Sequence, residues 1–366
     1  MMNQNEIKRM GSYPDEDVTF LLKNLNGLMK EDDLAYRERA IQSGVHYSEM
    51  LPIEYEPSAD YMKLFYESLQ DYKQEVAIAV GAVAEQLLEK WGGAFTIVSL
   101  ARAGTPIGIL VKRYLRDVHH IDVPHYSVSI IRDRGLDEQA IHHILEREGN
   151  NSIQFVDGWT GKGAITKELE RSCRRFKEEQ GIELDDSLAV LADPGHCSDL
   201  FGTREDYLIP SACLNATVSG LVSRTVLNEQ YIAEDEFHGA KYYEHLEAED
   251  VSNEFVDTIT EQFSSVGDAV KYRLQEVRQQ SRADWAGWNE IEEIQKQFNI
   301  EDVNHIKPGV GETTRVLLRR VPWKILVKDK QSPYLHHVFQ LAEEKGVPIE
   351  EYRGMSYSCC GLIKKV

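Results

Sequence analysis

The chain has no long apolar run, few cysteines and no surplus of positive charge, and each shortage closes a class of function. Its longest apolar stretch, Val76–Ala84, covers nine of 366 residues, about half of the roughly 18 that a membrane span needs. The opening segment, MMNQNEIKRMGSYPDED, has no apolar centre, so no secretory signal is read there and a cytoplasmic setting is expected. The five cysteines are Cys173, Cys197, Cys213, Cys359 and Cys360. An odd count with no C-x-x-C pair gives no disulfide framework, and reduced thiols fit the same setting. H-E-x-x-H and comparable ligand spacings are absent, so no protein-held metal is expected.

The charge balance, 41 Lys and Arg against 61 Asp and Glu for a net −20, argues against broad nucleic-acid binding. It is uneven, however. Residues 301–366 hold 11 basic and 8 acidic side chains, a net of +3 within an otherwise acidic chain. That asymmetry marks a separate C-terminal module.

What is present is an alternation of strand-like and helix-like runs. Apolar positions at helical spacing run from Tyr61 to Trp91, and Gly92-Gly93 ends that helix. Strands are expected at Phe95–Leu100, His125–Ile131, Ile153–Val156 and Ser187–Ala192, and helices at Thr105–Leu115, Leu136–Arg147 and Ala164–Glu179. This rhythm predicts an α/β fold with a parallel sheet. Residues 250–280 read as helical, and the last 70 or so as a small αβ unit. The expected domains are 1–235 (the sheet domain with an N-terminal extension and hood), a helical connector at 236–298, and 299–366.

In such a sheet ligands bind beyond the carboxyl ends of the strands. After the third expected strand comes Asp157-Gly-Trp-Thr-Gly-Lys-Gly163, then a helix. Glycines there bring backbone N–H groups to one point, and the helix end adds its pull on a phosphate. Thr160, Gly161, Lys162 and Gly163 are the expected phosphate cradle, with Asp157 placed for ribose hydroxyls. The spacing is not that of a Walker A loop, and no G-x-G-x-x-G is present. After the first strand, Ala101, Arg102, Ala103 and Gly104 form a bare loop with one guanidinium, suited to a diphosphate.

This pair of loops resembles the type I phosphoribosyltransferases, although Gly158 stands where a second acidic residue is usual. The resemblance implies a phosphoribosyltransferase-type enzyme that makes or breaks an N-glycosidic bond, with phosphoribosyl diphosphate as substrate. Mg²⁺ would bridge the diphosphate and ribose oxygens. Arg132 and Arg134 would close over the departing diphosphate, and Asp193 would lie near the base. More narrowly, Gly11-Ser12-Tyr13, His46–Pro52, Asp157–Gly163 and Pro210–Asn215 resemble a divergent bacterial phosphoribosyltransferase-like family of tellurite-resistance and stress gene clusters. A second label of that family, cysteine protease StiP, implies different chemistry, with Cys213 as nucleophile or, less readily, Cys197 beside His196.

The C-terminal Lys307–Arg320 segment resembles the Pelota and kink-turn-binding superfamily, in which a G-x-N-E-x-x-K helix start reads an RNA bend. Glu312 and Arg315 match that pattern and Gly311 replaces its Asn. Lys307, Gly311, Glu312, Arg315 and Arg319 are the expected RNA-binding residues. A transferase with an RNA-binding module is therefore the leading expectation. A cysteine peptidase and a non-catalytic nucleotide or RNA sensor are the alternatives.

Overall fold

Seven strands of the amino-terminal two thirds form one sheet, and six of them run parallel. The computed structural model describes residues 9–149, 152–280 and 282–363. In chain order come β1 (Thr19–Leu21), β2 (Lys23–Asn24), α1 (Leu34–Gln42) and α2 (Ala59–Trp91). Then β3 (Phe95–Ala101), α3 (Thr105–His119), β4 (His125–Ile131), β5 (Gly135–Leu136), α4 (Glu138–Glu148), β6 (Ser152–Trp159), α5 (Ala164–Gln180), β7 (Leu188–Ala192) and β8 (Leu200–Thr203) alternate by type. Short turns lead to β9 (Gly239–Ala240), α6 (Ser252–Thr260), α7 (Gly267–Gln279) and α8 (Ala286–Gln297). The last unit holds β10 (Ile306–Pro308), α9 (Val310–Arg319), β11 (Pro322–Val327), α10 (His336–Glu344), β12 (Ile349–Glu351) and β13 (Cys359–Ile363).

The sheet order is β1-β4-β3-β6-β7-β8, with β5 folded back antiparallel on β4. Both faces are covered, so β3, β4 and β7 are buried almost end to end. Ile97, Ala189 and Leu191 pack toward α2, α3, α6 and α7. Val98, Leu100, Phe155 and Val190 pack toward α4 and α5. The N-terminal extension contributes an edge strand, β1, through Thr19–Leu21 beside Tyr126–Val128. Among the described residues no helix is long and apolar enough to cross a membrane.

The C-terminal unit is a four-stranded sheet, β10-β13-β11-β12, with α9 against it and α10 packed on α9. Its core is not sealed off. The cluster that contains α2 continues through Tyr207, Ile209, Ala212 and Cys213 into Val310, Leu317, Ile325 and Leu335. Cys359 joins that cluster while Cys360 joins another around Ile291, Leu326 and Tyr357. Adjacent strand residues face opposite ways, so these neighbouring thiols belong to different cores.

Candidate functional site

The strand order reverses direction at β3, with β4 on one side and β6 on the other. A crevice opens beyond the carboxyl ends of strands at such a switch point. The two stretches singled out in the sequence do face each other, Gly158 lying against the Ala103 carbonyl. Ala101 still ends β3, however, and Asp157, Gly158 and Trp159 are the last residues of β6, so only Arg102–Gly104 and Thr160–Gly163 follow the strands. The side chains of both stretches are already engaged by the protein.

On the first stretch, Arg102 donates from a terminal nitrogen to the Val222 carbonyl at 3.1 Å and lies 3.8 Å from the Glu54 carboxylate. On the second, the Asp157 carboxylate accepts from its own neighbour, the Gly158 N–H, at 2.8 Å. Burial pushes the Asp157 carboxyl up to about 7. The Lys162 ammonium donates to the carbonyls of Val303 at 2.9 Å and Ile306 at 3.4 Å, both just before or on β10. Burial, and then the neighbouring charge of Lys307, bring it down to about 8. Tyr357 donates its hydroxyl to the Gly161 carbonyl at 2.8 Å. The C-terminal unit thus fills the turn that the glycine pattern offers to a phosphate.

Asp193 is a structural hub. Its carboxylate accepts from the Thr160 hydroxyl at 2.5 Å and from the N–H groups of Cys197 and Ser198 at 2.7 and 3.2 Å, and Arg204 lies 3.5 Å away. It is wholly buried and joins the β6 and β7 loops. Arg134 pairs with Glu49 at 2.8 Å. Arg132 lies 3.6 Å from Asp133, and its guanidinium sits over the Tyr47 ring, which Arg224 also covers. Burial, together with Arg37, Arg102 and Arg132 nearby, lowers the Arg224 guanidinium to about 10. Arg102, Arg132 and Arg134 thus each have a carboxylate within 4 Å.

All five cysteines are free and buried. Cys197 follows β7 and donates its thiol to the Gly195 carbonyl at 3.2 Å. Burial first, and then the Asp193 carboxylate, push that thiol up to about 12. The His196 ring turns away toward Asp284, 3.4 Å from its carboxylate. Adjacency in sequence makes no thiol–imidazole pair here. Cys213 closes a single 3₁₀ turn, Pro210–Ala212, with its sulfur 3.7 Å from the Ser68 hydroxyl on α2. It is 1% exposed.

The expected RNA-binding residues lie against this same segment. Arg315 donates from Nε to the Ala212 carbonyl at 3.0 Å and from a terminal nitrogen to the Leu214 carbonyl at 3.4 Å. It also contacts Glu312 at 3.3 Å and lies over the Trp159 ring. Gly311 faces Ala212, and Lys307 lies on β10 near Lys162. The side chain of Arg319 lies outside the described residues. A cavity of about 20 Å³ remains between the two units, lined by Trp159, Pro194, Asp206, Ala212, Gly309 and Glu312. That is room for one water and for no substrate. Asp206, which caps α9, escaped the sequence reading because it sits in an unpatterned loop about 100 residues from its partners. Among the described residues no three His, Cys, Asp or Glu side chains are placed to hold a metal ion.

A family model described as tellurite-like stress resistance cysteine protease StiP matches residues 11–260, more than half of the chain. The chain belongs to the StiP family. A relative from Acinetobacter baylyi, described as "Cysteine protease StiP", is 36% identical over 365 residues, covering 94% of this chain and 93% of its own. A model of the PELOTA RNA binding domain matches residues 285–365. A crystal structure of a hypothetical protein from Neisseria gonorrhoeae with bound ppGpp is 15% identical over 34% of this chain and 66% of that one, at a TM-score of 0.21. That likeness is too slight to carry a fold or a ligand across.

These findings overturn the leading expectation from sequence. The StiP family and its relative are described as cysteine proteases, so the transferase activity and its phosphoribosyl diphosphate substrate are withdrawn. With them go the transferase roles given to Ala101–Gly104, Asp157, Thr160–Gly163, Arg132, Arg134 and Asp193. The glycine-and-lysine turn misled because its loop geometry suits a phosphate, while the carbonyls that bind Lys162 come from about 140 residues further on.

Proposed function

We propose that this chain is a cysteine-dependent hydrolase of peptide bonds with Cys213 as its nucleophile, joined to an RNA-binding C-terminal domain, and that the arrangement described here is its closed, inactive form. Membership of the StiP family supports the reaction class. One observation carries the choice of residue: Cys213 lies on the segment of the sheet domain that the C-terminal unit clasps through Arg315. At Cys197, burial first and then the Asp193 carboxylate oppose formation of a thiolate.

In the reaction the Cys213 thiolate attacks the peptide carbonyl carbon, the amine leaves with a proton, and water then hydrolyses the thioester. In the arrangement described here the Cys213 sulfur is out of a substrate's reach, because the residue is 1% exposed. Five free thiols support a reducing, cytoplasmic setting. The likeness of the core to type I phosphoribosyltransferases is kept as a proposal about architecture alone, supported by the doubly wound strand order.

The test is cleavage of an unfolded protein by wild type, Cys213→Ser and Cys197→Ser, with each fold checked by circular dichroism. Cleavage lost in Cys213→Ser and kept in Cys197→Ser is the expected result. The reverse pattern moves the nucleophile to Cys197. Equal cleavage in both variants removes the thiol hydrolase reading.

A further inference from the structure

The residues of α9 that are built to meet an anion meet the chain's own body instead. The Asp206 carboxylate lies across the amino end of the helix, accepting from the Val310 N–H at 2.9 Å and from the Ser358 N–H at 2.8 Å. Its backbone carbonyl accepts from the Ser358 hydroxyl at 2.8 Å. One and a half turns along, Arg315 gives its donors to the carbonyls of Ala212 and Leu214. A helix amino end with a guanidinium beside it is a phosphate-binding arrangement. Here a buried carboxylate and two peptide carbonyls hold that place, on the domain that matches an RNA-binding model.

We infer that Asp206 and the 212–214 backbone stand in cis for the phosphates of a structured RNA, so that RNA bound at the start of α9 and closure over Cys213 exclude each other. The consequence for activity rests on the hydrolase reading, while the exclusion itself does not. RNA is the partner favoured because the donors available are N–H groups and a guanidinium, with Lys307 and Lys162 adding positive charge at the same seam. Opening the seam separates apolar contacts of Val310 and Leu317 as well as the polar ones. The apparent RNA affinity is then the intrinsic affinity reduced by the rarity of the open form. Weakening the closed form must therefore tighten RNA binding.

The test uses the full chain, a labelled bulged hairpin RNA, and duplex DNA of equal length as a control. RNA binding is read by fluorescence anisotropy, and exposure of each thiol by its rate of alkylation with N-ethylmaleimide, mapped by mass spectrometry. Asp206→Asn keeps the shape and removes the charge, so RNA binding should tighten by roughly tenfold. Tyr357→Phe loosens the far end of the seam without touching α9 and should tighten it by about threefold. Saturating RNA should speed alkylation of Cys213 by roughly tenfold, leaving Cys173 on the buried face of α5 slow. Unchanged or weaker binding in both variants overturns the inference. So does RNA binding that leaves Cys213 protected, and so does the absence of RNA binding by any of the three proteins. Because no peptide cleavage is read, failure of the hydrolase reading and failure of this inference are told apart.

Discussion

Arg315 of the C-terminal unit brackets Cys213 of the sheet domain, its guanidinium donating to the carbonyls of Ala212 and Leu214 on either side of the thiol-bearing residue at 3.0 and 3.4 Å. Removing it takes a charged donor from both carbonyls, at a side chain that is 29% exposed. Hydrogen bonds from a charged donor contribute about 1.5–3 kcal/mol, so Arg315→Ala should lower the unfolding free energy by that order. Thermal unfolding should shift down by several degrees, and Cys213 should react faster with maleimide even without RNA. Arg315→Lys should not rescue either property, because an ammonium cannot span two carbonyls as the planar fork does.

Asp157 gives a pH signature. In the folded chain its carboxyl holds a proton up to about 7, because burial outweighs the single N–H bond from Gly158. Unfolded, it ionises near the usual value of about 3.9. The stability this group contributes is therefore complete below about pH 4 and is lost as pH rises through 7. Asn has no proton to lose, so Asp157→Asn should exceed wild type in urea stability at pH 8 by up to a few kcal/mol, at about 1.4 per tenfold. It should not exceed wild type at pH 4. Burial also raises the Asp206 carboxyl, to about 6, so some decline between pH 4 and 6 should persist in the variant.

The strands buried on both faces were legible. Phe95–Leu100 and His125–Ile131 read as short buried strands, and the structure places β3 and β4 within one residue of those limits. The edge strand β1 was not, because three residues give no periodicity to read. That Ala101–Gly104 and Asp157–Gly163 lie at the carboxyl ends of β3 and β6 was also legible from strand order, although β6 runs three residues further than expected, through Trp159. Their occupancy was not. Whether Lys162 faces a ligand or the Val303 carbonyl depends on how the C-terminal unit docks, and docking is set by shape rather than by any local pattern. The same holds for Asp206, whose partners are backbone N–H groups on another unit.

The N-terminal extension is fixed by a buried ion triad. Arg113 on α3 donates from Nε to one oxygen of Asp17 at 2.9 Å and from a terminal nitrogen to the other at 2.5 Å, while its remaining nitrogen reaches Asp257 on α6 at 2.6 Å. Asp17 is almost wholly buried and Asp257 is not. Asp17→Asn should cost about 3–5 kcal/mol, since breaking one partner leaves a buried charge. Asp257→Asn should cost about 1 kcal/mol or less, as expected of an exposed partner. Urea titrations of the two variants against wild type measure the difference.

Three glycines around the β6 turn separate structural need from ligand binding. A side-chain carbon on Gly161 would meet nothing within 4 Å, so Gly161→Ala should leave stability within about 0.5 kcal/mol of wild type. Gly163 has φ +73°, and a carbon there would lie 2.2 Å from the Trp285 ring and 2.8 Å from the Cys197 sulfur. Gly195 has an ordinary φ, but its added carbon would come within 2.2 Å of the Gly161 carbonyl oxygen. Neither backbone nor a packed indole gives way cheaply, so Gly163→Ala and Gly195→Ala should each cost about 3 kcal/mol or more. Both losses should also expose the seam, seen as faster alkylation of Cys197. Were this turn a phosphate cradle, Gly161→Ala would impair ligand binding without loss of fold. A stable Gly161→Ala protein with unchanged cleavage and RNA binding is the expected result, and calorimetry on the three variants tests the stability half of it.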